Sequence, residues 1–323
     1  MSRKLLIVLL LVVLTGVLGL CLGAVSIPPR EVWRALLDPA AAYAPIIREL
    51  RLPRVLLGFL IGGTLAVSGA SLQALLRNPL ADPYLLGLSG GAGLGAVLAI
   101  AMGGPLAWAV PAAAFLGALG AVALVYALGR TGSGRLEPRI LLLAGVVTSG
   151  FATAIMSALM VLSDAVELRN AFLWLLGGLG RASWQALGLF LLWSPIPLLV
   201  LFTSARSLDL LALGEETAGY LGAEVEQVKR RVVVSTALLT AAAVAAAGMI
   251  GFVGLVVPHA VRRLLGPLHG RLLPVAFAVG GALLVAADAL ARIVVRPIEL
   301  PVGVVTALIG VPVFAILLRR EVR

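Results

Sequence analysis

Ten apolar stretches, most of them about 20 residues long, fill this chain and limit what it can fold into. They run over residues 5–25, 55–76, 84–103, 106–128, 140–162, 185–204, 231–250, 252–265, 272–294 and 303–318. In a bilayer each segment must satisfy its own backbone hydrogen bonds, so stretches of this kind become helices. Hydrophobic residues make up 61% of the 323 and charged residues 12%, too little polar material to cover a soluble domain. The same composition excludes a disordered chain. The expected fold is an all-α membrane protein with ten transmembrane helices, forming one domain over 1–323.

Two stretches set the count. Leu5–Val25 follows Arg3-Lys4, as the apolar part of a signal peptide would. Its 21 residues exceed the usual ~7–15, and no small-x-small cleavage site follows, so it reads as a retained first span. The chain from Val232 to Val261 is almost wholly apolar and too long for one straight span. Gly248, Gly251, Gly254 and Pro258 interrupt it, which gives one full span and one short one.

Charge orients the spans. Arg3 and Lys4 open the chain and Arg319, Arg320 and Arg323 close it, so an even count puts both termini in the cytoplasm. On that topology 16 of the 25 basic residues lie on inside segments. The nine outside concentrate at 30–54 and 292–296. Either Glu31, Asp38 and Glu49 neutralise them locally, or they form a docking surface for an acidic partner. The net charge of +10 does not point to nucleic acid, because most basic residues flank spans.

Several chemistries are missing. Cys21 is the only cysteine and makes no internal disulfide. His259 and His269 are not spaced as metal ligands, and no metal site is expected. Lys4 and Lys229 are the only lysines and neither sits in GxxxxGK[ST], so this chain does not bind ATP through a P-loop. Gly91–Ala96 fits the dinucleotide pattern GxGxxA, but inside a span it reads as small residues for close helix packing.

Three polar features remain. Asp288 is an acid within a span, with Arg292 one helical turn on. It is either a structural pair or the ion site of a secondary transporter. In the fifth span Gly145, Ser149, Thr153 and Ser157 recur every four residues, with Thr148 and Met156 beside them. That ridge lines a translocation path or forms a close-packing seam. Segment 205–231 reads as two short amphipathic helices with a turn at Gly214. Leu208, Leu211, Leu221 and Val225 supply its apolar face, and Asp209, Glu215, Glu216, Glu224 and Glu226 its polar one. An acidic face does not suit anionic lipid, which favours a cytoplasmic protein partner.

Longer motifs complete the picture. They are Arg51-Leu52-Pro53-Arg54, Ser68-Gly69-Ala70, Gln73, Asn78-Pro79-Leu80-Ala81-Asp82-Pro83, Leu86-Gly87 and Gly91-Ala92. Gly214–Ala218 with Leu221-Gly222, Phe252–His259 and Glu299–Gly303 follow in order. From about residue 48 onward the chain resembles the permeases of the iron-siderophore, haem and cobalamin ABC importers. It departs little: Leu88-Ser89-Gly90 stands where two polar residues are common, and Gly177–Gly180 is glycine-rich.

The resemblance implies a ten-helix type II ABC importer permease in a bacterial inner membrane, working as a homodimer. Two cytoplasmic ATPase subunits would carry the ATP and Mg, leaving this chain without a cofactor or catalytic residue. A periplasmic binding protein would deliver a metal chelate, a ferric siderophore or haem, with cobalamin as the alternative. Residues 207–222 match the family's coupling helices, naming Leu211, Gly214, Glu215, Glu216, Ala218, Leu221 and Gly222. Arg51, Arg54 and Arg292 match arginines that meet the binding protein, and the family's path favours Ser149, Thr153, Met156 and Ser157 as lining. The rival from another class is an ion-coupled secondary transporter centred on Asp288.

Overall fold

The computed structural model describes residues 3–105, 107–129 and 136–321, and these residues are overwhelmingly helical. In chain order the helices are α1 (Arg3–Cys21), α2 (Pro29–Leu37), α3 (Leu52–Leu75), α4 (Leu88–Ala101) and α5 (Ala109–Gly129). Next come α6 (Pro138–Leu162), α7 (Ala165–Leu175), α8 (Trp184–Trp193), α9 (Pro195–Thr203), α10 (Ala205–Ala212) and α11 (Glu215–Tyr220). The last are α12 (Val225–Ala247), α13 (Val253–Leu265), α14 (His269–Ala291) and α15 (Val302–Glu321). A π-helical turn, Ile46–Arg51, leads into α3, and a 3-10 turn, Pro83–Leu86, leads into α4.

Every predicted apolar stretch is helical, but not every one is a full span. Among the described residues six helices are long and apolar enough to cross a membrane: α1, α3 with its π-helical entry, α5, α6, α12 and α14. The stretch 185–204 is a broken pair, α8 and α9, bent by 43°. Pro195 explains the break, because it lacks an amide and crowds the preceding turn. The stretches 84–103 and 252–265 yield short helices, α4 with 14 residues and α13 with 13. The first loses a turn to the Pro83 segment and Gly87, and the second starts only after Phe252, which adopts a left-handed φ of 68°.

Burial separates centre from periphery. The membrane-crossing part of 46–75 is 78% buried, whereas α1 is 11% buried. α3 packs along α14, and the two cross at a glycine pair: a Cβ on Gly62 would lie 2.2 Å from the Gly280 carbonyl oxygen. No other residue allows that approach, and close backbone contact replaces the hydrophobic drive that lipid cannot supply. Gly91 meets the Gly117 carbonyl of α5 in the same way, so the GxGxxA stretch is a packing surface. α14 runs antiparallel to α3, with Asp288 near its C-terminal end beside Arg54 and His269 at its N-terminal end.

Candidate functional site

Two polar clusters lie at opposite ends of α14. The first gathers the three predicted docking arginines around Asp288. Arg54 grips both carboxylate oxygens, Nη2 to Oδ1 at 2.8 Å and Nε to Oδ2 at 3.1 Å. Its Nη1 reaches the half-exposed Glu299 at 2.9 Å. Arg292 Nε lies 3.1 Å from Asp288 Oδ2, as its four-residue spacing predicts. Asp288 is 2% exposed, so two guanidinium groups compensate one buried carboxylate.

The remaining donors of this cluster hold α1. Arg292 donates to the carbonyls of Leu22, at 2.6 Å, and Gly19, at 2.9 Å. Arg51 donates to Leu20 at 2.6 Å, Cys21 at 2.9 Å and Val25. Gly19, Leu20 and Cys21 offer end-of-helix carbonyls that lack partners within α1, Leu22 and Val25 follow just beyond it, and a cation there also meets the negative end of the helix dipole. Arg51 and Arg292 are buried, 6% and 4% exposed, and only Arg54 reaches a surface group, Glu299.

The second cluster surrounds the α10–α11 pair. Gly214 separates the two helices with φ at 118°, a conformation that a side chain would strain. Leu208, Leu211 and Ala218 are buried beneath the pair, while Glu216, Tyr220, Leu221 and Gly222 are exposed. Leu221 therefore does not join the buried face: α11 ends at Tyr220, and the chain leaves the helical period there. Leu213 and Tyr220, 65% and 85% exposed, enlarge this surface and carry no polar pattern that would flag them in a sequence.

A hydrogen-bonded Asp–His pair and an ion pair fasten the helix pair from below. Asp209 of α10 accepts from the His269 amide at 2.9 Å and meets His269 Nδ1 at 2.7 Å, capping the start of α14. Glu215 of α11 pairs with buried Lys229 of α12. An open cavity of about 950 Å³ lies alongside, lined by Glu215, Glu216, Glu224 and Glu226 with Tyr126 and Arg230. The pattern of the segment puts these acids on one face but does not announce the pairs Glu215–Lys229 and Asp209–His269, because each joins two different helices.

The ridge on α6 divides in two. Gly145 and Ser149 pack against the start of α4: a Cβ on Gly145 would strike the Leu85 carbonyl, and one on Gly90 would strike Ser149. Met156 lies against Gly93, and Thr148 is buried beside Gly87. Thr153 and Ser157 are exposed, and the Ser157 hydroxyl donates to the Thr153 carbonyl at 2.8 Å. One half is thus a packing seam and the other an open face.

The Asn78–Pro83 motif builds the entry to α4. Asp82 accepts from the Tyr84 amide at 2.9 Å, and burial pushes its carboxyl up to about 6 against that hydrogen bond. The Tyr84 hydroxyl donates to the Ile250 carbonyl and accepts from the Ile250 amide, tying the loop to the α12–α13 break. Among the described residues no group of three or more His, Cys, Asp or Glu side chains could hold a metal ion.

A multi-pass helical bundle with a broken span, glycine crossings and an exposed helix pair is the build of a membrane transport protein. The chain belongs to the FecCD transport family, which it matches over residues 9–320. It is 42% identical over 319 residues to the hemin transport system permease of Yersinia pestis, covering 97% of this chain and 94% of that one. It is 47% identical over 279 residues to the cobalamin import system permease of Halobacterium salinarum, covering 86% and 74%. A solved chain from an ABC transporter assigned to the metal-chelate type, in an inward-facing conformation, superposes with a TM-score of 0.88 at 32% identity. That match covers 99% of this chain and 100% of the other.

Proposed function

We propose that this permease imports a metal chelate, haem or a ferric siderophore, across a bacterial inner membrane by alternating access. The observation that carries the mechanism is the α10–α11 pair. It presents Glu216, Leu213, Tyr220 and Leu221 outward, and its underside is tied to α14 through Asp209 and to α12 through Glu215. An exposed element fastened to spans can receive a push from a soluble partner and pass it on. With no P-loop on this chain, that partner is an ATPase subunit carrying ATP and Mg, one for each copy of a homodimer. Both chain termini then face the cytoplasm, on the side of α10–α11.

The arginine cluster faces the opposite side, where a binding protein would dock. Arg51 and Arg292 build the platform by anchoring α1, and Arg54 with Glu299 forms its outward part. The open face of α6, with Thr153 and Ser157, is the natural wall of a path between two copies. The ion-coupled reading fits less well. Both Asp288 oxygens are already bound to guanidinium groups, so the carboxylate is committed to structure.

The haem preference rests on likeness over nearly the whole chain to a hemin permease. The cobalamin alternative rests on comparable likeness to vitamin B12 permeases, 41% over 97% of this chain for that of Klebsiella pneumoniae, and on 47% over a shorter stretch for that of Halobacterium salinarum. Uptake in proteoliposomes containing the ATPase and binding protein decides both. The panel is haem, a ferric siderophore and cobalamin, each with and without ATP. ATP-dependent uptake of haem or the siderophore is expected, and proton-driven uptake without ATP sinks the proposal. Replacing Glu215, Glu216 and Gly222 together is expected to leave the spans folded and ATP hydrolysis running while uptake fails. Full uptake by that triple variant would remove α10–α11 from the mechanism.

A further inference from the structure

Lys229 is one of two lysines in the chain and is 2% exposed, in the first turns of α12. The neighbouring Arg230 and Arg231 are exposed, so a membrane-flanking charge was available without burying an ammonium. Its three donors reach three parts of the chain. One meets Glu215 at the start of α11, one meets Glu226 Oε1 at 3.0 Å, and one meets the Leu136 carbonyl at 2.8 Å. The other Glu226 oxygen accepts from the Leu136 amide at 2.8 Å. Lys229 and Glu226 therefore hold both backbone groups of Leu136, two residues ahead of the first residue of α6.

We propose that Lys229 is a positioning residue for transport: a latch that joins α11 to the root of α6. This rests on the coupling role proposed for α10–α11. A buried ammonium uses all three of its donors here, and pulling any partner away leaves one buried N–H without an acceptor. Displacement of α11 is therefore transmitted through Glu215 and Lys229 to Leu136, and from there to the helix bearing the exposed Thr153 and Ser157. A purely local role for Lys229 would need only the Glu226 pair within α12. The contacts to Glu215 and Leu136 reach beyond its own helix.

The test reads movement of α6 and needs no identified substrate. A cysteine replaces Ser157 in a Cys21→Ser background, and the complex with its ATPase is treated with a maleimide, with and without ATP plus vanadate. In that parent the trapped state is expected to label at a different rate. In Lys229→Met the ATP-dependent difference is expected to shrink roughly tenfold while ATP hydrolysis continues. Lys229→Arg, which keeps the charge, is expected to retain most of it. Glu215→Gln cuts the α11 arm alone from a half-exposed position, so it tests the link even where Lys229→Met fails to assemble, and it is expected to act in the same direction. An undiminished difference in an assembled Lys229→Met or Glu215→Gln complex overturns the latch and leaves the coupling role standing. A parent that shows no ATP-dependent difference overturns the coupling role itself, and the latch with it.

Discussion

The two ends of α14 use the same charged groups to opposite effect. At the arginine end the cations are in excess. Two guanidinium groups, of Arg54 and Arg292, meet one buried carboxylate, and Arg292 together with Arg51 donates to the carbonyls at the end of α1. At the α10–α11 end the acids reach the surface, and the groups that bind them are buried. Glu215 and Glu226 are 36% and 41% exposed and Asp209 is 30% exposed, whereas Lys229 and His269 lie beneath them. A carboxylate locked between arginines below the surface makes a fixed joint. A carboxylate at the surface, bound from below, can be reached by a partner and pulled. Burial, more than the choice of residue, separates anchor from handle.

The comparison breaks first at Asp288. Asp288→Ala leaves Arg292 buried without a counter-charge and Arg54 with Glu299 alone, and a loss of about 3–5 kcal/mol is expected from thermal unfolding of the detergent-solubilised protein. Unchanged stability with loss of proton-driven uptake would turn the anchor back into an ion site. Arg51→Met removes charged donors from three carbonyls and should cost about 1.5–3 kcal/mol, seen as faster amide exchange over residues 18–25. At the other end Asp209→Ala should cost about 1 kcal/mol, the worth of a helix cap, with faster exchange confined to the first turn of α14. A larger loss there than at Asp288 would reverse the assignment of anchor and handle. Glu299→Gln should be the mildest, below about 1 kcal/mol and weaker still in high salt, because its partner contact is at the surface.

Particular residues show how much was readable beforehand. The apolar stretches were legible because a bilayer makes hydropathy a local property: each segment must satisfy its own backbone. The turn at Gly214 and the two helices around it were legible for a similar reason, since a glycine between amphipathic periods marks a break. The Asp288–Arg292 pair follows from helical spacing alone. Its principal partner does not. Arg54 lies 234 positions away, and nothing in either neighbourhood announces the meeting.

The sequence by itself determined that this chain is a bundle of membrane helices of the FecCD family, where its acidic segment lies, and that it carries no P-loop motif. Tertiary structure alone decided which charges meet. It buried Arg51 and Arg292 at the end of α1, set Lys229 between α11, α12 and Leu136, and divided the α6 ridge into a seam and an open face. The physical reason is range. Hydropathy and turn chemistry act over a few residues, whereas ion pairs and close backbone contacts act only between groups that packing has already brought within a few ångströms.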